Sequence, residues 1–181
     1  GATLHRVRRL PGYSRLRSGP DIYKPFLDAA LVLPLLKLVR GGEVDLLHAH
    51  NYEAPLAAYV VRALTGVPVL YQAHNLMADE LPLYFERELS RRLARLLAGV
   101  LDANIPRLAD YCIAMSDEAI PALMALGVAR DRIDLIPPAV RWEQFAQIHG
   151  DPGDVVGRPT VIYTGNPDAY QELGVLLRGM R

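Results

Sequence analysis

Several things that decide protein class are scarce in this sequence. Cys112 is the single cysteine among 181 residues, so no internal disulfide can form and a reducing cytoplasm is the expected compartment. Net charge is missing as well, since 20 Lys and Arg balance 20 Asp and Glu. A dedicated nucleic-acid binder carries a large basic excess, so no nucleic-acid partner is expected. Long apolar runs are also lacking. The most apolar segment, residues 27–39, is too short to span a bilayer and is interrupted by Asp28, Pro34 and Lys37. No charged start with an apolar core and a small-residue cleavage site is visible, so no secretory leader is expected. What is plentiful is hydrophobic residues, at 51%. That share supports a buried core and argues against wholesale disorder.

The charge is unevenly placed. Residues 1–40 hold eight basic residues (Arg6, Arg8, Arg9, Arg15, Arg17, Lys24, Lys37 and Arg40) against Asp21 and Asp28, which leaves the remainder with 12 basic and 18 acidic. A basic end can face phosphates or anionic lipid, or can be a solvated arm. Peripheral contact with the inner face of a membrane through this region is one expectation.

Two short stretches stand out: VDLLHAHN over 44–51 and VLYQAHN over 69–75. Each is an apolar run that ends on histidine and then turns polar, the pattern of a buried parallel strand. In open α/β sheets, ligands sit beyond the carboxyl ends of such strands. Around them the chain alternates. A helix is expected from Asp21 to the Gly41-Gly42 stop, capped by Asp21 and kinked at Pro34; its apolar positions run almost all round, which fits a well-buried helix, the favoured reading, or one partly in a membrane interface. Strands are expected over 43–50, 67–73, 111–115, 132–136 and 160–164. Helices are expected over 54–65, 85–108 (breaking near Gly99 and at Pro106), 116–126 with Ser116 as N-cap, and 170–180, with a helical turn over 142–145. Residues 75–84 read as irregular. The alternation predicts a Rossmann-like, doubly wound parallel sheet of α/β class. A Gly/Pro/Asp-rich linker over 147–159 would separate a domain over 1–146 from the first strand and helix of a second α/β domain over 160–181.

The order of motifs resembles the family 4 retaining glycosyltransferases of the GT-B fold. The matching pieces are VDLLHAHN, the helix running to Gly66-Val67-Pro68-Val69, and the strand ending at His74. They continue with ADYCIAMSDEA, then LGVARDRIDLIPPAV followed by 142–145, and RPTVIYTGNPDAYQ. Singly each is weak; six in the family's order are specific, and they cover roughly residues 43–181. The resemblance implies an acceptor-side domain lacking its first strands, followed by the start of a nucleotide-sugar-binding domain. It also implies retention, no required metal or other cofactor, and a glycan or lipid acceptor. The family's Gly-rich phosphate turn and its Glu-x7-Glu donor pair do not occur in these residues, so the 181-residue chain alone is expected to be inactive. Departures are Pro138, Ala139, Val140 and Arg141 where the family has Asn-Gly-Val-Asp. Asp168 to Glu172 likewise replace a basic residue near the donor diphosphate.

His48 and His50, two apart on a strand, point to one face. His50, at the tip, is better placed to reach a ligand, whereas His48 reads as a paired core histidine. An imidazole can donate to a phosphate or accept a hydroxyl proton near neutral pH. By resemblance His50 and His74 belong to the acceptor or phosphate cleft. Asn51, Asn75, Tyr52 and Glu80 are possible polar walls, and Ser116 is a phosphate contact or a plain N-cap. Gly165 and Asn166 would let backbone amides approach the donor diphosphate. Three histidines also suit zinc, but a barrel hydrolase needs further ligands on later strands, and only His149 follows. Two other readings stay open. One is a remnant or subunit that completes its sheet with a partner chain; the other is a sugar-nucleotide epimerase-like protein.

Overall fold

A computed structural model describes residues 3–7, 20–21, 23–146, 161–165 and 172–180. The chain divides into two compact units, Gly1–Pro137 and Pro138–Arg181. The first contains α1 (Lys24–Arg40), β1 (Leu47–His50), α2 (Glu53–Thr65), β2 (Val69–Ala73), α3 (Met77–Glu80), α4 (Glu88–Leu108), β3 (Tyr111–Ala114), α5 (Ala119–Ala125) and β4 (Ile133–Leu135). The second contains a short 3-10 turn, Trp142–Gln144, and α6 (Leu173–Gly179).

The four strands form one parallel sheet in the order β1-β2-β3-β4, an α/β Rossmann-like arrangement. Its register sorts the side chains. Ala49, Tyr71, Cys112 and Ile133 lie abreast, while His50, Gln72, Ile113 and Asp134 lie abreast one residue further along. Neighbours in register share a face. Right-handed crossovers between successive strands that advance in one direction put all the helices on the same side. That side is the core. There Tyr71, Cys112, Ala114 and Ile133 pack with Ile105 of α4 and Leu123 of α5, and Leu47, Ala49 and Val69 pack with Ala58 and Val61 of α2. The Cys112 thiol is buried there and pushed up to about 11, which makes it an inert core residue.

The strands are shorter than the apolar runs that announced them, because a strand extends only as far as its ladder. Gly66 closes α2 in the left-handed region (φ 76), and Leu47 N–H bonds the Pro68 carbonyl, so pairing starts there. No strand forms over 161–164, since the described residues of that unit offer no strand to pair with. Residues 147–159, expected as a linker, lie outside the described residues. So do Arg8, Arg9, Arg15 and Arg17 of the basic end.

Three helices differ from expectation. Helix α1 has no fully buried residue. One side packs through Val32, Leu35, Leu36 and Val39, while Phe26 and Leu33 are about two-thirds exposed (65% and 66%). Asp21 bonds the Tyr23 amide, one residue short of the helix. Helix α4 runs unbroken through Gly99 and Pro106. Glycine weakens a helix without ending it, and a proline in the last turn removes little. Of residues 75–84, expected to be irregular, 77–84 form α3 and a 3-10 turn, Leu81–Tyr84.

Asp110 ties the sheet's entry together. Its Oδ2 accepts the Val69 amide (2.8 Å) and its Oδ1 accepts from Arg62 (2.7 Å). Burial pushes the carboxyl upward, but the Val69 amide and the Arg62 guanidinium outweigh it and hold it below the usual carboxylate value. A depressed carboxylate stabilises the fold above its unfolded pKa near 3.8 and loses that contribution as pH falls through the folded value. Asp110→Ala should therefore cost about 1.5–3 kcal/mol at neutral pH in urea unfolding, with the gap from wild type closing in acid.

Candidate functional site

The carboxyl ends of β1 and β2 bring three histidines together. His48 and His50 stack with ring centroids 4.2 Å apart, tilted by 36°. His50 Nδ1 lies 3.3 Å from His74 Nε2, within hydrogen-bonding distance. His48, expected as a core histidine, is exposed. It sits on the sheet face opposite the helices, which none of the crossovers covers. Burial lowers the pKa of His74, and the neighbouring His50 lowers it further. Burial and then His50 lower that of His48 as well, against a raising bond from Gln72 and with a further push down from His74. Near neutral pH both rings are therefore uncharged. In the His50–His74 contact one nitrogen carries a proton and the other a lone pair, which leaves His50 Nε2 and His74 Nδ1 for a ligand.

The loop after β2 is held from below by a residue that sequence reasoning missed. Asp102, on α4, is 3% exposed. Its Oδ1 accepts the Met77 amide (2.9 Å) and Oδ2 the Ala78 amide (2.8 Å). It thus caps α3 from another helix, a role that Ser, Thr, Asp or Asn ordinarily fills from the adjoining residue. The Tyr52 hydroxyl lies 2.6 Å from Asp102 and 2.5 Å from the Asn75 carbonyl, donates its single proton to one at a time, and accepts from Met77 N–H (2.7 Å). Burial and Asp102 drive its pKa well above the ordinary tyrosine value. A lone acid within the apolar run LLAGVLDANI was the available sign of Asp102.

A cavity of about 100 Å³ opens beside this network, with Tyr52, Tyr71, His74, Asn75, Asp102 and Leu123 in its wall. The Tyr52–Asp102 bonds leave most of that wall apolar in character. Asn51 follows β1 in the left-handed region (φ 59), which asparagine tolerates better than most residues. Asn51 and Asn75 are both exposed. Glu80 is engaged by the Tyr84 hydroxyl (3.1 Å).

The structure does not bring every expected residue to this place. Helix α5 begins at Ala119 with Glu118 at its N-cap, so Ser116 is no cap. Its hydroxyl instead bonds the Glu118 carboxylate and lowers that group's pKa. Gly165 belongs to the second unit, where an added Cβ would meet the Tyr163 hydroxyl at 2.8 Å. Asn166 and His149 lie outside the described residues. Among the described residues no group of three or more His, Cys, Asp or Glu is arranged to hold a metal ion.

Two outcomes follow. Asp102→Ala should lower stability by about 2–4 kcal/mol, because buried amides lose their acceptor, and amide exchange should accelerate over residues 75–80. Folding depresses His48 and His74, so below the unfolded value near 6.5 the unfolded chain binds more protons. The melting temperature should hold above that pH and drop below it, and His74→Gln should flatten the drop.

Comparison with known proteins places the chain. The profile of Glycosyltransferase Family 4 matches residues 3–144. A D-inositol 3-phosphate glycosyltransferase of Nocardia farcinica is 27% identical over 143 residues, 76% of this chain and 31% of that protein. The chain thus spans about a third of that relative's length. Among solved structures, Anabaena Alr3699/HepE in complex with UDP and glucose is similar with a TM-score of 0.47 and 16% identity, over 66% of this chain and 29% of that one. The S. aureus MnaA-UDP co-structure gives 0.43 and 18%, over 62% and 28%. With the family profile covering well over half of its residues, the chain belongs to Glycosyltransferase Family 4.

Proposed function

We propose that this chain is the acceptor side of a GT-B glycosyltransferase that moves a sugar, with retention, from a nucleotide diphosphate sugar to a glycan or lipid acceptor. The observation that carries the reading is the His50–His74 pair at the sheet rim. Sugar transfer needs an acceptor hydroxyl held beneath the donor sugar, while amides and cations stabilise the charge that grows on the departing diphosphate. The free nitrogens of His50 and His74 are suited to the first task, orienting the acceptor or a phosphate on it. Asn51, Asn75 and the cavity beside Tyr52 would complete that wall, with Ser116 at the next strand end. Gly165 and Asn166 would serve the donor. The reaction so described uses no metal or other cofactor.

The name of the Nocardia relative supports an acceptor that carries a phosphate.

NMR of the histidine imidazoles tests this directly. Adding D-inositol 3-phosphate or inorganic phosphate should shift the His50 and His74 signals in a saturable way, and His74→Gln should weaken the binding about tenfold. Imidazole signals that stay unmoved at high ligand concentration would refute the acceptor-side role.

A further inference from the structure

The contact between His50 Nδ1 and His74 Nε2 is long for a hydrogen bond. The two nitrogens stand 3.3 Å apart, past the roughly 2.7–3.2 Å of an ordinary N–H donor contact. A tetrahedral zinc ion holds each imidazole nitrogen at about 2.0–2.1 Å, which sets two of them about 3.3–3.4 Å apart. An octahedral or square-planar ion with the same bond length would draw adjacent nitrogens to about 2.9 Å. We propose that His50 Nδ1 and His74 Nε2 form a binding site for a tetrahedral Zn²⁺ at the rim of the sheet.

Zinc takes a neutral imidazole through its lone pair. Burial and then the neighbouring His50 lower the pKa of His74, so that ring is uncharged near neutral pH. Among the described residues, no Lys or Arg figures in the groups that shift His48 or His74. No fixed positive charge beside them therefore repels a cation. Access is open as well. Both side chains are exposed, and His50 lies on the sheet face that no crossover helix covers.

Binding needs both facing nitrogens unprotonated. In the metal-free contact one of them carries a proton. On binding that proton leaves to solvent and the outer nitrogen of the same ring takes one up, so a neutral pair loses none overall. Two Zn–N bonds replace the contact between the rings, with no change of oxidation state. No third His, Cys, Asp or Glu is in place among the described residues, so water fills the two remaining positions. His48 stacks on His50 with ring centroids 4.2 Å apart and bonds Gln72, which keeps it outside the ligand set. Sugar transfer as proposed uses no metal, so the zinc site stands or falls independently of it.

Isothermal titration calorimetry of the 181-residue chain with zinc chloride tests the proposal. A single Zn²⁺ should bind with a Kd on the order of 1–100 µM, as suits half the ligand set of a structural zinc site. The imidazole NMR signals of His50 and His74 should shift together as it does. His50→Gln and His74→Gln should each weaken binding about tenfold or more, whereas His149→Gln should leave it unchanged. Both ligand side chains are exposed, so metal-free melting temperatures near neutral pH should match wild type and separate lost ligation from lost folding. Absence of binding heat and of imidazole shifts at millimolar Zn²⁺ would overturn the proposal, as would zinc binding that either ligand variant leaves intact.

Discussion

The Asp102 carboxylate is the constraint on which the candidate site depends. It is the one charged side chain among the fully buried residues described, and such a group persists only when its lone pairs are satisfied. Here they are satisfied by the Met77 and Ala78 amides and the Tyr52 hydroxyl. Those three donors come from the segment after β2 and from the residue just before α2. One buried carboxylate therefore fixes the N-terminus of α3, the Tyr52 ring and, through it, the Asn75 carbonyl. The position of His74 beside His50 follows from that anchoring, because His74 lies between β2 and the pinned carbonyl.

The second constraint is topological. Four parallel strands that advance in one direction collect their crossover helices on one side. Alternation along each strand then decides the fate of its residues: Ala49 and Tyr71 go into the core, and His48 and His50 go to the other face. The same one-sidedness keeps the histidines accessible, which a phosphate or hydroxyl ligand requires. Burial and the neighbouring His50 lower the pKa values of His48 and His74, so those two rings offer neutral hydrogen-bonding groups at this rim. An anion would meet donors there, and its own charge would favour protonating them.

Helix α4 joins these features. Its inner side supplies Asp102 to the site and Ile105 to the core, and its outer side carries leucines and arginines.

Much of this protein was legible in its sequence. The period and punctuation of the chain pointed to an α/β fold with strands over 43–50, 67–73, 111–115 and 132–136, since apolar runs, Gly66 and Gly127 act locally, and the observed strands fall within those spans. The motif order determined the family, and the histidine-tipped strands pointed to His50 and His74. Tertiary structure alone decided the rest, for one physical reason: those features depend on partners distant in the chain. Residues 75–84 looked irregular because their cap, Asp102, comes from another helix. His48 looked like a core residue because only the winding of the sheet determines which face is left open. Ser116 looked like an N-cap because the sequence does not reveal that α5 starts three residues later. Residues 161–164 looked like part of a strand because an apolar run carries no information about whether a strand lies beside it, and none does among the described residues.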